Sequence, residues 1–250
     1  MIRVIYPDNE SRRLAFFLAM EEWVATNLPA GEYFYSWIVN PTVIIGRNQD
    51  MRAEVNLEYC RDHGIEVVRR RSGGGCVYAD RDNIMISYIC PETDVQKVFA
   101  RYTRLVADQL CRMGVPAEPS GRNDITVGER KISGNAFYLL PQRSIVHGTM
   151  LYDTNIANML GAITPSKAKL ESHKVKSVEA RITTFRRLRP EVSLEEFHRE
   201  LMAGLETDRY ILKAEEVSQI EEIERTYYIP AWHEKGESHS HFENINTIQE

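Results

Sequence analysis

The feature that most constrains the fold is the grouping of short strand-like segments between separate helices. Tyr33–Val39 and Thr42–Gly46 have the composition of two strands on either side of an Asn40-Pro41 turn. Asp94–Met113 then carries apolar residues at helical spacing, with Asp94 placed to cap the helix. A second group of strand-like segments follows that helix. This order predicts an α+β fold, in which a mixed or mostly antiparallel central sheet is flanked by helices, and not a doubly wound parallel sheet.

The remaining elements are expected on both sides of these groups. Further helices are predicted at Ser11–Asn27, Val55–His63, Ser193–Leu205 and Glu215–Arg225, and further strands at Ile65–Arg69, Asn83–Ile89, Ile125–Val127, Lys131–Ser133, Ala136–Leu140, Ser144–Tyr152 and Tyr210–Leu212. No linker composition divides the chain. We therefore expect one domain over residues 1–230, and a poorly ordered tail with largely solvated histidines over residues 231–250.

Composition excludes several classes of protein. The chain has 250 residues, of which 43% are hydrophobic, so it can bury a large core without disulfides. No apolar run approaches the roughly 18 residues of a membrane span, and the N-terminus does not resemble a signal peptide. The four cysteines form no CxxC pair, which favours reduced thiols. A net charge of −5 disfavours a nucleic-acid partner. We expect a cytoplasmic protein with no membrane or nucleic-acid partner.

The segment Arg69–Tyr78 contains three arginines followed by Gly73-Gly74-Gly75. Three consecutive glycines carry a large entropic cost, which a left-handed turn or the close approach of a ligand would explain. Their N–H groups, beside guanidinium groups, are suited to an anion. The segment lacks the GK[ST] sequence of a Walker loop, and a strand instead of a helix is expected after it. A flexible hairpin loop is the alternative interpretation.

Two later segments also carry candidate chemistry. In Gly121–Ile125 and Lys131–Ala136, Lys131 is a candidate point charge for a phosphate or carboxylate, Asp124 a candidate Mg²⁺ ligand, and Gly134 a place where the chain passes close to a bound group. A solvated lysine on a hairpin is the alternative. In His147-Gly148-Thr149 the histidine, taken alone, is expected to be a hydrogen-bonded core residue. Cys76, without an obvious activating neighbour, is expected to be a packing residue.

Together, these motifs resemble the lipoate–protein ligase family in order, spacing and content. The resemblance covers roughly residues 10 to 190, and it is carried by RRRSGGGCVY, GRNDI, KISGNA and HGTMLY, with support from Asn40-Pro41, IGRNQ at 45–49 and KSVEARI at 176–182. It implies the catalytic-domain architecture shared with biotin–protein ligases. It also implies a two-step reaction, in which lipoate and Mg·ATP give lipoyl-adenylate and the lipoyl group then moves to a lysine of a lipoyl domain.

The resemblance also implies residue roles, substrates and partners. Arg70 and the backbone of Gly75–Tyr78 would bind the nucleotide, and Lys131 would be the catalytic residue, in contact with both the lipoyl carbonyl and the α-phosphate. With the residues of the three segments, the predicted ligand-binding set is Arg70, Ser72, Gly73, Gly74, Gly75, Cys76, Val77, Tyr78, Asn123, Asp124, Lys131, Gly134, Ala136, His147 and Thr149. The expected cofactors are ATP and Mg²⁺, with (R)-lipoate or alternatively octanoate as substrate. The acceptors would be 2-oxoacid dehydrogenase E2 subunits and the glycine cleavage H protein.

The chain departs from the family pattern in ways that leave alternatives open. Ala79 and Asp82 stand where the family usually has His and Gly, and Cys76 replaces a usual Ala. Little sequence follows Arg225 where many members have an accessory domain, so the chain could need a separate accessory protein or could only transfer pre-formed lipoyl-adenylate. A cysteine-dependent octanoyl or lipoyl transferase of the same fold is a rival. A biotin ligase is a weaker alternative, because it would be expected to carry a GRGR-type loop where this chain has RSGGG. A non-catalytic protein that binds lipoate or the adenylate is another.

Overall fold

In the computed structural model, the chain folds around an eight-stranded sheet. The structure describes residues 1–7, 11–163 and 180–236. In chain order the strands are β1 Ile2–Ile5, β2 Tyr33–Trp37, β3 Thr42–Ile45, β4 Glu66–Arg69, β5 Val77–Ala79, β6 Asn83–Cys90, β7 Ala117–Pro119, β8 Asp124–Val127, β9 Arg130–Leu140, β10 Arg143–Leu151 and β11 Asp208–Ile211. The large sheet has the order β11-β1-β2-β6-β10-β9-β8-β7. Its outer strands β11, β1 and β2 are parallel and the other pairings are antiparallel. The predicted mixed, mostly antiparallel sheet is confirmed.

A second, three-stranded sheet has the order β4-β3-β5, with β3 parallel to β4 and antiparallel to β5. The sequence suggested that Tyr33–Val39 and Thr42–Gly46 lie on either side of one turn. Both segments are strands, but they belong to different sheets. All four residues of β3 are buried, so this strand needs cover on both faces, whereas β2 pairs with β6 in the large sheet. The segment with Asn40-Pro41 therefore connects two layers.

Helices cover both faces of the large sheet. They are α1 Leu14–Asn27, α2 Met51–Glu54, α3 Leu57–Asp62, α4 Val95–Arg112, α5 Ile156–Ala162, α6 Phe185–Leu188, α7 Leu194–Ala203, α8 Ala214–Thr226 and α9 Pro230–Lys235. One core joins α1 and α8 to the large sheet and the small sheet, and a second core joins α4 and α7 to the opposite face. A third lies between the small sheet and helices α2, α3 and α5. The chain thus forms layers that share apolar faces.

Local capping signals explain where several helices begin. The carboxylate of Asp94 accepts hydrogen bonds from the backbone N–H groups of Gln96 and Lys97, as expected for an N-cap. Ser193 likewise accepts from the N–H of Glu196 at the start of α7. The helix expected over Val55–His63 is shorter, because the side chain of Asn56 caps α3 and Val55 pairs instead with Ile163. No described helix is long and apolar enough to cross a membrane.

The segments Lys131–Ser133 and Ala136–Leu140, expected to be separate strands, form one strand, β9, which pairs with β10 from Ser133 onward. At the C-terminus, α9 occupies the start of the expected tail. It includes Trp232, which is buried, and His233, whose Nε2 lies 2.8 Å from the carbonyl oxygen of Val67. This histidine was expected to be solvated and is instead held against β4. Residues 237–250, with His239 and His241, lie outside the described residues. The domain boundary at residue 230 stays a prediction.

Candidate active site

A cavity of about 270 Å³ lies where the two sheets meet. It is lined by Leu18, Trp37, Ile44, Arg70, Gly74, Gly75, Cys76, Val77, Tyr78, Met85, Asn123, Lys131, Gly134, Asn135, Ala136, His147, Thr149, Leu151, Met159, Ile163 and Ile182. Of the fifteen residues predicted to bind ligands, twelve line this cavity. Gly73 and Asp124 are sequence neighbours of lining residues, and Oγ of Ser72 lies 2.8 Å from Nε2 of His147, which lines it. One side of the cavity is polar and the other apolar, an arrangement typical of sites for small molecules.

The glycine loop, residues 72–76, is built around the buried side chain of Arg70. Its Nη2 donates to the carbonyl oxygens of Gly73 at 2.8 Å and Gly75 at 2.7 Å, and its Nη1 donates to that of Ile44 at 3.2 Å. Gly74 has φ +94°, a conformation that favours glycine, and a β-carbon there would lie 2.9 Å from Arg70. Burial lowers the pKa of Arg70 to about 10. These hydrogen bonds hold the loop in one turn around the Arg70 guanidinium.

The other two arginines of this run also bind protein atoms. Arg69 is buried and donates to backbone carbonyl groups, whereas Arg71 pairs with Glu22 of α1 and lies over the ring of Tyr227. Burial raises the pKa of Glu22, an effect that Arg71 opposes. The sequence suggested that guanidinium groups would flank an anion site. Their described partners are instead internal, so the loop presents mainly backbone and the edge of Arg70 to the cavity.

Lys131 lies on β9 at the opposite wall of the cavity. Its Nζ is 2.9 Å from Oδ1 of Asp124 on β8, and the two side chains are 39% and 30% exposed. The lysine is thus neither fully solvated nor buried. A β-carbon at residue 134 would overlap the Nζ and Cε atoms of Lys131. Gly134 therefore provides the space in which the Lys131 side chain reaches the cavity.

Two asparagines hold this part of the site together. The side chain of Asn135 donates to the carbonyl oxygen of Asn123 at 2.7 Å, and the side chain of Asn123 donates to that of Asn135 at 2.8 Å. This reciprocal pair joins the loop that precedes Asp124 to the strand that carries Lys131. Asn135 lies within the KISGNA motif, but it was not predicted as a site residue because its spacing does not reveal its partner.

His147 is central to a buried chain of hydrogen bonds. Its Nδ1 is 2.8 Å from Oε2 of Glu21 on α1, and its Nε2 is 2.8 Å from Oγ of Ser72 in the glycine loop. Ser87 also donates to Glu21, and the indole of Trp37 donates to Ser87 at 2.9 Å. His147 is thus a hydrogen-bonded core residue, as expected when taken alone, and it also borders the cavity. The sequence did not reveal Glu21 or Trp37, which lie in apolar segments.

The apolar side of the cavity lies between β3, β5 and β6. The side chains that form it are Leu18, Trp37, Ile44, Val77, Met85, Leu151, Met159, Ile163 and Ile182. Walls near Val43–Ile45 and Val77–Tyr78 were expected, and Ile44, Val77 and Tyr78 do line the cavity. Ile182 pairs with the backbone of Lys131, which brings the two sides together. From the 176–182 motif, Lys176-Ser177-Val178-Glu179 lies outside the described residues.

The cysteines do not form a cluster. Cys76 lines the cavity, and its burial raises the pKa of its thiol to about 12, although Arg70 opposes this shift. Burial also raises the pKa of Cys60 and Cys90, while Cys111 is exposed. A thiol with so high a pKa is not an activated nucleophile. The described part of the chain also contains no group of three His, Cys, Asp or Glu residues able to hold a metal ion.

Comparison with known proteins agrees with this arrangement. The family model described as lipoyl protein ligase A/B catalytic domain matches residues 14–206. The chain belongs to this family. Lipoate–protein ligase 1 of Staphylococcus aureus (strain Mu50 / ATCC 700699) is 38% identical over 218 residues, which are 84% of this chain and 66% of that protein. Lipoate-protein ligase LplJ of Bacillus subtilis (strain 168) is 37% identical over 212 residues, 84% of this chain and 62% of that protein. The chain thus spans less than two thirds of the length of these lipoyl protein ligases.

Two solved structures with a similar fold are described as lipoate–protein ligases. A bi-partite lipoate protein ligase from Thermoplasma acidophilum, described with its E2 lipoyl domain, has a TM-score of 0.83 at 23% identity and covers 95% of this chain and 96% of its own. A lipoate-protein ligase A bound with ATP has a TM-score of 0.77 at 23% identity, and the match covers 92% of this chain and 97% of that structure's chain. At these identities the likeness shows the fold, and the predicted family architecture is confirmed.

Proposed function

We propose that this chain is the catalytic part of an ATP-dependent lipoate–protein ligase. It would activate lipoate, with octanoate as an alternative, to an acyl-adenylate and transfer the acyl group to a lysine of a lipoyl domain. Membership of the family and the names of the relatives support this proposal. A structural neighbour bound to ATP and another bound to lipoic acid support the choice of substrates.

The observation that carries the proposal is the position of Lys131 between the two sides of one cavity. The glycine loop and Asn123 lie on the polar side, and side chains such as Trp37 and Met85 on the apolar side. An acyl chain on the apolar side would place its carboxylate near the ammonium, where a nucleotide on the glycine loop would place its α-phosphate. Four buried methylene groups would contribute about 3 kcal/mol to binding.

Residues of this chain can be assigned a role in both steps of the reaction. In the first, a carboxylate oxygen of lipoate attacks the α-phosphorus, an O–P bond forms, and pyrophosphate leaves. In the second, the neutral acceptor amine attacks the acyl carbonyl, the C–N bond forms as the C–O bond to the phosphate breaks, and AMP leaves while its phosphate or water takes the proton lost from nitrogen. The ammonium of Lys131 offsets negative charge at the phosphate in both steps, and holding the reactants together lowers the entropic barrier. Asp124 fixes the position of that ammonium, and Gly134 gives it room.

Asp124 is the residue that would hold Mg²⁺. Its Oδ1 is buried against Nζ of Lys131 at 2.9 Å, and a carboxylate has a second oxygen, so Oδ2 would be the ligand to a hard cation. One carboxylate is enough, because Mg²⁺ takes most of its ligands from water and substrate phosphates. When bound, Mg²⁺ would supply positive charge beside the phosphates.

The proposed acceptors are E2 subunits of 2-oxoacid dehydrogenases and the glycine cleavage H protein. The description of the Thermoplasma acidophilum ligase with an E2 lipoyl domain supports the first class. The acceptor lysine would have to enter the cavity near Lys131. The cytoplasmic location expected from the N-terminal sequence stays a prediction.

A second candidate is a lipoyltransferase that uses pre-formed lipoyl-adenylate, or one part of a two-protein ligase. One observation favours it: a neighbour that matches over nearly its whole length is described as bi-partite. The cysteine-dependent transferase is disfavoured, because the cavity cysteine, Cys76, has its pKa raised to about 12 by burial.

Two assays on the purified chain separate these functions. The first measures pyrophosphate release from lipoate and Mg·ATP without acceptor, and the second measures transfer from synthetic lipoyl-adenylate to a lipoyl domain. A complete ligase shows both activities, whereas a transferase or a partial ligase shows only the second. Lys131→Ala should lower either activity about a thousandfold, and Cys76→Ala should preserve it. Loss with Cys76→Ala and survival with Lys131→Ala would contradict the proposal.

A further inference from the structure

The C-terminal helices α8 and α9 lie beyond residues 14–206, the part of the chain that matches the family model. They nevertheless contact both ends of the arginine run that precedes the glycine loop. Neither helix lines the cavity. Their contacts therefore need an explanation other than direct contact with a ligand.

Arg69 joins helix α9 to the loop of residues 46–49. Its Nε donates to the carbonyl oxygen of His233 at 3.1 Å and its Nη2 to that of Glu234 at 2.9 Å. Its Nη1 donates to the carbonyl oxygens of Gly46 at 3.1 Å and Gln49 at 2.7 Å. One planar guanidinium thus holds the end of a helix and a loop in a fixed relation, which a lysine could not reproduce.

The loop of residues 46–49 in turn contacts the glycine loop. The N–H of Arg47 donates to the carbonyl oxygen of Ser72 at 3.0 Å. A β-carbon at Gly46 would overlap the carbonyl oxygen of Gly74, so the two backbones are in close contact. The position of this loop therefore limits the position of the glycine loop.

Arg71 makes a second connection, to helix α8. Its guanidinium pairs with the buried carboxylate of Glu22, donates to Oγ1 of Thr226 at the end of α8, and lies 4.7 Å from the ring centre of Tyr227. The hydroxyl of Tyr227 also donates to Glu22. Arg71 directly precedes Ser72, the first residue of the glycine loop.

We propose that residues 214–236 are a positioning element for the glycine loop. This element acts through Arg69 and Arg71, and by holding the loop in place it determines the affinity of the cavity for the nucleotide. The proposal rests on the proposed function for the nature of the ligand, but not for the coupling itself. Arg69 is a positioning residue in this scheme, since it touches the loop of residues 46–49 and not the cavity. A substitution at α9 should therefore weaken binding of the nucleotide on the polar side of the cavity and leave binding of the acyl chain on the apolar side unchanged.

Gly236→Ala tests the connection from outside the cavity. Gly236 ends α9 with φ +70°, and a β-carbon there would overlap the backbone carbonyl oxygen of Arg47. Arg69→Lys tests the same connection while it keeps the charge. The matched control is Glu221→Gln, which removes an ion pair of 2.6 Å between α8 and Arg12 and touches neither arginine of the connection.

The first measurement is amide hydrogen exchange of residues 46–49 and 70–76 in the 250-residue chain. We expect exchange there to accelerate about tenfold in Gly236→Ala and Arg69→Lys, and to stay unchanged in Glu221→Gln. The second is pyrophosphate release, in which the KM for ATP should rise about tenfold while the KM for lipoate changes less than about threefold.

The outcomes separate this inference from the proposed function. If Gly236→Ala and Arg69→Lys exchange faster but the unmodified chain has no ligase activity, the positioning element is supported and the proposed function is wrong. Unchanged exchange in Gly236→Ala would overturn the positioning element, whatever the activity. Equal increases in both KM values would also overturn it, because they would indicate a general loss of structure. If Arg69→Lys does not fold, Gly236→Ala alone decides.

Discussion

Gly134 lies so close to the side chain of Lys131 that a β-carbon at residue 134 would overlap both Nζ and Cε. The same ammonium is 2.9 Å from Oδ1 of Asp124. A glycine is therefore needed here for space, since its backbone does not adopt the left-handed conformation. The spacing of the lysine and the glycine in the KISG sequence has a direct steric meaning.

Gly134→Ala should lower pyrophosphate release about a hundredfold, because an ammonium displaced from the phosphate loses its charge contribution in the transition state. Steady-state kinetics with lipoate and Mg·ATP would measure this. The control is the double variant Gly134→Ala/Lys131→Ala. If the glycine acts through the lysine, the double variant is no slower than Lys131→Ala alone. Additive losses would show that Gly134 acts in another way.

Asp124→Asn should raise the Mg²⁺ concentration needed for half-maximal activity about tenfold or more, because an amide oxygen binds a hard cation more weakly than a carboxylate. The measurement is a Mg²⁺ titration of pyrophosphate release at fixed ATP. Asp153→Asn is the control, since this carboxylate pairs with Arg186 at 3.4 Å outside the cavity. A Mg²⁺ dependence that does not change in Asp124→Asn would remove this residue from the metal site.

Asn135→Asp should destabilise the chain by about 2 kcal/mol, because it replaces an N–H donor that faces the carbonyl oxygen of Asn123 with an oxygen. Urea unfolding at neutral pH would measure the free energy. Asn27→Asp makes the same chemical change at the partly exposed end of α1, where the amide donates to Trp23 at 3.0 Å, and it should cost less than about 1 kcal/mol. Equal costs would mean that the pair of asparagines has no special role.

Much of the local structure follows from the sequence. Asp94 and Ser193 mark helix starts, since a cap bonds to groups two or three residues away. The motifs around Gly74 and Lys131 also predicted most of the residues that line the cavity. These predictions depend on interactions within a few residues.

The partners of buried polar groups could not be predicted, because they are distant in the sequence. Glu21 and His147 are separated by 126 residues, and Arg69 and His233 by 164. A run of three arginines indicates positive charge, but it does not say whether protein carbonyls or a ligand will meet that charge. The separation of β2 and β3 into two sheets was missed for the same reason, since strand pairing is a long-range property.

His147→Leu should lower the free energy of unfolding by about 3 kcal/mol, because it leaves the buried carboxylate of Glu21 without its imidazole partner. Chemical denaturation would measure this loss. The double variant His147→Leu/Glu21→Leu removes the buried carboxyl group that has lost its partner and should recover at least about 1 kcal/mol. A double variant less stable than the single one would show that Glu21 is stabilised mainly by Ser87.

Cys76 should resist alkylation although it borders the cavity. Only the thiolate reacts, and a pKa of about 12 leaves about one part in ten thousand of this thiol ionised at pH 8. Mass spectrometry of the chain treated with iodoacetamide should therefore show exposed Cys111 modified well before Cys76. Raising the pH from 7 to 9 should accelerate the reaction of Cys76 about a hundredfold, since its thiolate fraction grows tenfold per pH unit so far below its pKa. Rapid modification of Cys76 at pH 7, with loss of acyl transfer, would instead support a cysteine-dependent transferase.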